Sequence, residues 1–217
     1  MFAYPKQAEF SRLVPKTKIY AHTRMSKRIK ELFAKQVDEI LWKYKLSPET
    51  INLPARNGIN EIQVFDVTLK TPGVDPDVLQ AIDKAIPFPL LFQLTYDGQV
   101  SFAASYKRLN EANASKWVVE ATFQTAPRPI GAVRSPLPVA LDLAGLYEHI
   151  VRCHIPLPQR PGEGLSQHIA RFNQVEAKRK ARQQLEARLA QEQQFNRKVE
   201  LNAALRMLSQ ELETLSQ

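Results

Sequence analysis

Apolar side chains recur at three- and four-residue spacing through Ile29, Phe33, Val37, Ile40, Leu41 and Tyr44, with polar residues between them. This stretch predicts an amphipathic helix capped by the hydroxyl of Ser26. The beat then changes. Within residues 61–69, Phe65, Val67 and Leu69 alternate against Ile62 and Val64, which predicts a strand broken by Pro72-Gly73. Asp75 or Asp77 can cap a short helix through Ile86, with Val78, Leu79 and Ile82 inward and Pro87 stopping it. Asp97-Gly98, between LLFQLTY and QVSFAASYK, suits a two-residue turn with positive backbone dihedrals. The predicted hairpin pairs Tyr96 with Gln99, Leu94 with Ser101, Phe92 with Ala103 and Leu90 with Ser105. Neither of its faces is plainly polar, so both should be covered. Residues 116–124 alternate through Trp117, Val119, Ala121 and Phe123 as one more strand. The proline-rich residues 125–138 read as a basic loop with Arg128 and Arg134, and residues 139–152 return to helical spacing through Leu143, Leu146, Tyr147 and Ile150.

From residue 165 onward there is no proline, and helix formers dominate, which predicts a long helix. Leu201, Leu205, Leu208, Leu212 and Leu215 step by 4, 3, 4 and 3 along it. That spacing is a coiled-coil seam and needs a second helix, from a partner protein, another copy of the chain or a hairpin within the tail. The expected architecture is therefore α/β (α+β). A globular domain over residues 1–158, with a small, mostly antiparallel mixed sheet of about four strands flanked by helices, precedes a helical tail over residues 159–217.

Charge changes the picture at one end. Of a net charge of +8, residues 1–50 supply +6, with 11 Lys and Arg against 5 Asp and Glu. On the first helix Lys27 and Glu31, Glu31 and Lys35, Lys35 and Glu39, and Glu39 and Lys43 stand four apart, a ladder that explains those charges without a ligand. Arg24, Arg28 and Lys30 have no partner in that register, and they are the candidate contacts to the phosphates of DNA or RNA. The competing account is a solvated basic surface.

Candidate chemistry is sparse. A single cysteine, Cys153, permits neither an intrachain disulfide nor a multi-thiolate metal site, and His149 and His154 beside it lack further ligands at metal spacing. No stretch reaches the roughly 20 apolar residues of a membrane span, and the N-terminal segment lacks the apolar core of a secretory signal, so a cytoplasmic location is expected. Phosphate-cradling glycine loops are absent, and no cofactor is expected. Asp97 and Lys107 invite comparison with metal-dependent nucleases that use Asp followed by Glu-x-Lys. Ser105 stands where the second acid is needed, which leaves a metal one carboxylate short.

Taken in order, the blocks KLSPETINL (45–53), EIQVF (61–65), AIDKAIP (81–87), YKR (106–108), SKWVV (115–119) and LPVALDLAGLY (137–147) are similar to a family of bacterial and archaeal proteins of about this length. The shared domain of that family has no assigned function. The resemblance spans residues 16–155 and adds a variable helical tail. It implies small proteins that accompany a helicase and a DNA methyltransferase resembling type III restriction-modification components, and it carries over no catalytic residue. Asp83, Lys84, Lys107 and Lys116 stand within these blocks and are the polar candidates for a site, or else intramolecular ion pairs. The expected function is a non-catalytic adaptor in a DNA-processing, restriction-modification or anti-phage complex. The alternative is a divergent metal-dependent nuclease with degenerate ligands.

Overall fold

The structure, a computed structural model, describes residues 1–23, 25–110 and 113–217, with the backbone alone at 109, 110 and 113–116. The chain divides into two compact units, Met1–His154 and Ile155–Gln217. In the first, six strands lie side by side in chain order: β1 (Glu9–Leu13), β2 (Val37–Leu46), β3 (Ile62–Leu69), β4 (Leu90–Tyr96), β5 (Gln99–Asn110) and β6 (Asn113–Gln124). A two-residue strand, β7 (Arg128–Pro129), pairs with β5 off this path. Every pairing is antiparallel except β3 with β4, which is parallel. Parallel neighbours need a crossover. Helix α4 (Pro76–Ala85), introduced after α1 (Lys16–His22), α2 (Lys27–Gln36) and the single turn α3 (Pro48–Ile51), provides it.

The hairpin has the register its turn dictates. Tyr96 faces Gln99, Leu94 faces Ser101 and Phe92 faces Ala103, with Asp97 at φ 44° and Gly98 at φ 71°. Alternation then divides the sheet's side chains. Phe65, Val67, Phe92, Leu94 and Ala103 join one core with Ile19 of α1, Phe33 of α2 and Val78, Leu79 and Ile82 of α4. Val64, Leu91, Phe102 and Ala104, of opposite parity, are buried as well. Helix α5 (Leu143–Arg152), capped by the Asp142 carboxylate accepting from the Gly145 amide, contacts β5.

Two sequence expectations fail in this unit. The first helix stops at Gln36, although Ser26 does cap it, its hydroxyl accepting from the Ile29 amide. Residues 37–46 are strand. Val37, Ile40, Trp42 and Tyr44 are β-branched or aromatic, and they suit a pleated surface better than a helix. Register shifts between Val37 and Glu39 and between Trp42 and Tyr44 disguise their alternation as helical spacing. Only Lys27–Glu31, at 3.9 Å, remains from the predicted charge ladder as a helical pair. The sheet therefore exceeds four strands, with β2 misread and β1 hidden by its four exposed residues out of five.

The second unit has the hairpin alternative in place of one long helix, with α6 (Leu165–Gln191) and α7 (Phe195–Ser216). The break has a local cause. Glu192 turns extended, and its side chain accepts from the amides of Gln193 and Gln194 at 2.8 and 2.9 Å, competing with helical continuation. Helix α7 returns along α6, tied by an ion pair of Lys178 with Glu211 and by Arg171 Nη1 donating to the Leu215 carbonyl at 2.8 Å.

Candidate functional site

Helix α4 cannot continue past Ala85 because residue 87 is proline, and the carbonyl of Asp83, which would accept from that position, loses its helical donor. Pro89 likewise removes a donor from the following turn. The Lys107 ammonium supplies what is missing. Its Nζ donates to the carbonyls of Asp83, Ile86 and Phe88 at 2.7, 2.9 and 2.7 Å, and lies 2.8 Å from Asp83 Oδ1. Four acceptors around one nitrogen require the three protons of the charged form. The position also suits a cation because it is the negative end of the helix dipole. Both side chains have zero solvent exposure. Burial pushes the Lys107 amine down, against the pull of Asp83, and pushes the Asp83 carboxyl up, against the pull of Lys107. Asp83 Oδ1, 2.8 Å from the ammonium, completes the ion pair inside the protein.

Strand β5 presents Lys107 through an irregularity. Between Tyr106 and Lys107 the partner strand advances by two residues, from Ala121 to Val119, while β5 advances by one. The local backbone finds its partner in Tyr147 of α5, whose hydroxyl donates to the Ser105 carbonyl and accepts from the Lys107 amide at 2.8 Å. Tyr147→Phe removes both bonds inside the protein. The expected loss is about 2 kcal/mol, read as a lower urea midpoint with an unchanged slope.

Of the four polar candidates, the structure brings together Asp83 and Lys107 alone. Lys84 is exposed and donates to Gln80 Oε1 at 2.9 Å, and the side chain of Lys116 lies outside the described residues. The basic trio also changes. Arg28 has partners that the helical register did not reveal, Asp77 at 2.7 Å and Asp75 at 3.3 Å, both from the start of α4. Lys30 is exposed, and Arg24 lies outside the described residues. The leucine seam meets a helix of its own chain. Leu212 is buried and Leu201, Leu205, Leu208 and Leu215 are half-buried, so the spacing no longer requires a second copy or a foreign helix. Phe195, Val199 and Met207 of α7 are 78%, 52% and 64% exposed.

Sequence reasoning missed an apolar cleft of about 450 Å³ floored by Phe65, between β1, β2, α1 and the turn after α4. Phe10 of β1 rests against Trp42 of β2, ring centroids 4.1 Å apart, and Trp42 lies nearly parallel to Phe65 at 6.1 Å. The Arg12 guanidinium sits over Phe10, 4.5 Å from its centroid. Lys18 and His22 of α1 also line the cleft, as do Glu61 and Gln63. Ile86 and Phe88, whose carbonyls hold Lys107, form part of its wall. Phe10 and Trp42 meet only through the pairing of β1 with β2, and nothing in their spacing along the chain marks it.

Among the described residues, no group of three His, Cys, Asp or Glu could hold a metal ion. Near Cys153, the His154 and His149 rings each turn to a backbone carbonyl, of Ile150 at 2.7 Å and of Val139 at 3.1 Å. No helix among the described residues is long and apolar enough to cross a membrane. No curated protein and no solved structure matches the chain. The family model for the domain of unknown function DUF4391 matches residues 2–212, nearly the whole chain, and the chain belongs to that family.

Proposed function

We propose that this chain is a non-catalytic adaptor of the cytoplasm, an accessory subunit of a DNA-processing complex of the restriction-modification or anti-phage kind. In that complex it binds a helicase or DNA methyltransferase and touches nucleic acid. The observation that carries the proposal is the enclosure of Asp83 and Lys107, with zero exposure and every ammonium proton taken by the protein's own oxygens. A lysine serving a reaction needs a path to substrate and an uncommitted proton or lone pair. This one joins α4, the following turn and β5. The features that face solvent suit contact instead: a cleft with aromatic walls and cationic side chains, and exposed apolar residues on α7. The helicase and methyltransferase come from the resemblance in the sequence blocks above.

Co-expression of the full chain with a helicase and a DNA methyltransferase of the type III restriction-modification kind from the same host tests this. Co-elution with at least one of them is expected, and Phe195→Ser/Met207→Ser, which changes exposed residues of α7, should weaken it about tenfold. Separate elution of all three proteins, or cleavage of DNA by the purified chain alone, overturns the proposal.

A further inference from the structure

We propose that the cleft floored by Phe65 is a binding site for one nucleotide, the base against the aromatic wall and its phosphate on Arg12, Lys18 and His22. The proposal deepens the nucleic-acid part of the function just given, and it rests on that reading. Three independent observations converge on this class of ligand.

The first is volume and surface. About 450 Å³ lies within the range of small-ligand sites, and the half-buried rings of Phe10 and Trp42, backed by the buried Phe65, supply apolar surface that a base ring, with a π-face of its own, can cover. The second is a polar edge deep in the same cleft. Gln63 is buried; its Nε2 donates to Glu61 Oε1 at 2.5 Å, while Lys45 holds Glu61 Oε2 at 3.2 Å. That arrangement fixes the carboxamide and leaves it one N–H and one carbonyl oxygen, adjacent donor and acceptor. Adenine offers the complementary pair, an amino group beside a ring nitrogen, which a glutamine side chain reads with two hydrogen bonds. The third is charge. Arg12, Lys18 and His22 line the cleft and are exposed, in the region of the chain that holds +6 of the net +8. A phosphate attached to a base on the aromatic wall meets these groups.

A base with its phosphate can come from a free nucleotide or from one residue of a single strand, and titration calorimetry of the full chain separates the two. The probes are AMP, the oligonucleotide (dA)12, and ribose 5-phosphate as a ligand without a base. Binding of AMP or (dA)12, with ribose 5-phosphate at least tenfold weaker, is expected. Comparable binding of AMP and (dA)12 assigns the site to free nucleotides, and binding of (dA)12 alone assigns it to strands. Gln63→Leu should weaken binding about tenfold. Arg12→Glu/Lys18→Glu, which alters exposed side chains and leaves the core intact, should do the same and decides the matter should Gln63→Leu fail to fold. Absence of binding by both AMP and (dA)12 overturns the proposal. So does equal binding of ribose 5-phosphate, or unchanged affinity in the Arg12→Glu/Lys18→Glu protein. Co-elution with the partner proteins is a separate readout: if it persists while nucleotide binding is absent, the site proposal falls and the adaptor proposal stands.

Discussion

Replacing Lys107 by Met is expected to cost about 3–5 kcal/mol of folding stability, because one partner of a buried ion pair is removed and the other stays behind. The side chain that remains, Asp83, is wholly buried with no second cation at hydrogen-bond distance, and three carbonyls lose their donor at the same time. For a chain of this length the melting temperature should fall by about 6–20 °C. The loss is a large share of the roughly 5–15 kcal/mol that holds an ordinary domain together, so the single variant is expected to express poorly. Asp83→Leu/Lys107→Met answers that difficulty. Removing both charges removes the stranded carboxylate, and part of the stability should return. It should not return fully, since the carbonyls of Asp83, Ile86 and Phe88 remain without the ammonium. Calorimetric melting of the three proteins checks the order wild type, double variant, single variant. A Lys107→Met protein within 1 kcal/mol of wild type would show that the ammonium is replaceable at the end of α4.

In the second unit the corresponding residue is Arg171. Its Nε and Nη2 donate to the two oxygens of Glu163 at 2.7 and 2.9 Å, Nη2 also reaches the Pro158 carbonyl at 2.5 Å, and Nη1 reaches the Leu215 carbonyl at the end of α7. One planar guanidinium thus ties the loop before α6 to the last turn of α7, a task that suits the fixed fork of arginine and not a lysine. Arg171→Met should cost about 3 kcal/mol, the scale of several charge-assisted bonds lost together. Hydrogen exchange reads this directly: amides of α7 should exchange about a hundredfold faster, with those of β3 and β4 unaffected.

Glu163 gives the same contact a pH signature. Hydrogen bonding to Arg171 outweighs desolvation and holds its carboxyl down at about 2, below the usual 4.5. The folded state therefore binds the proton less readily than the unfolded chain. The stabilisation is complete above about pH 4.5 and drains away as pH falls toward 2. Arg171→Met should remove that acid dependence along with the stability.

What could be read from the residues beforehand was local. The Asp97-Gly98 turn, the Asp75 cap of α4 and the proline that stops that helix each act within four residues, and each declares an element by itself. Strand β2 carries a helical signature because its bulges bring Ile40, Leu41 and Tyr44 into helical spacing, and only pairing with β3 decides between the two periods. The division of the tail rests on Glu192, in a run of glutamine and glutamate with neither glycine nor proline to mark it. The polar candidates were legible as residues but not as a structure. Lys107 finds three of its four partners on backbone carbonyls, and a carbonyl has no letter of its own in a sequence. The cleft needed long-range geometry throughout, since Phe10, Trp42, Phe65 and Phe88 come from four separate segments.

The order of the sheet, β1-β2-β3-β4-β5-β6, carries a consequence for how the chain comes into being. Each strand along this path hydrogen-bonds to the one synthesised immediately before it, so none has to wait for a distant sequence to emerge from the ribosome. The growing edge is always the newest strand. Assembly can keep pace with translation, and each exposed edge lasts only until the next segment arrives to cover it.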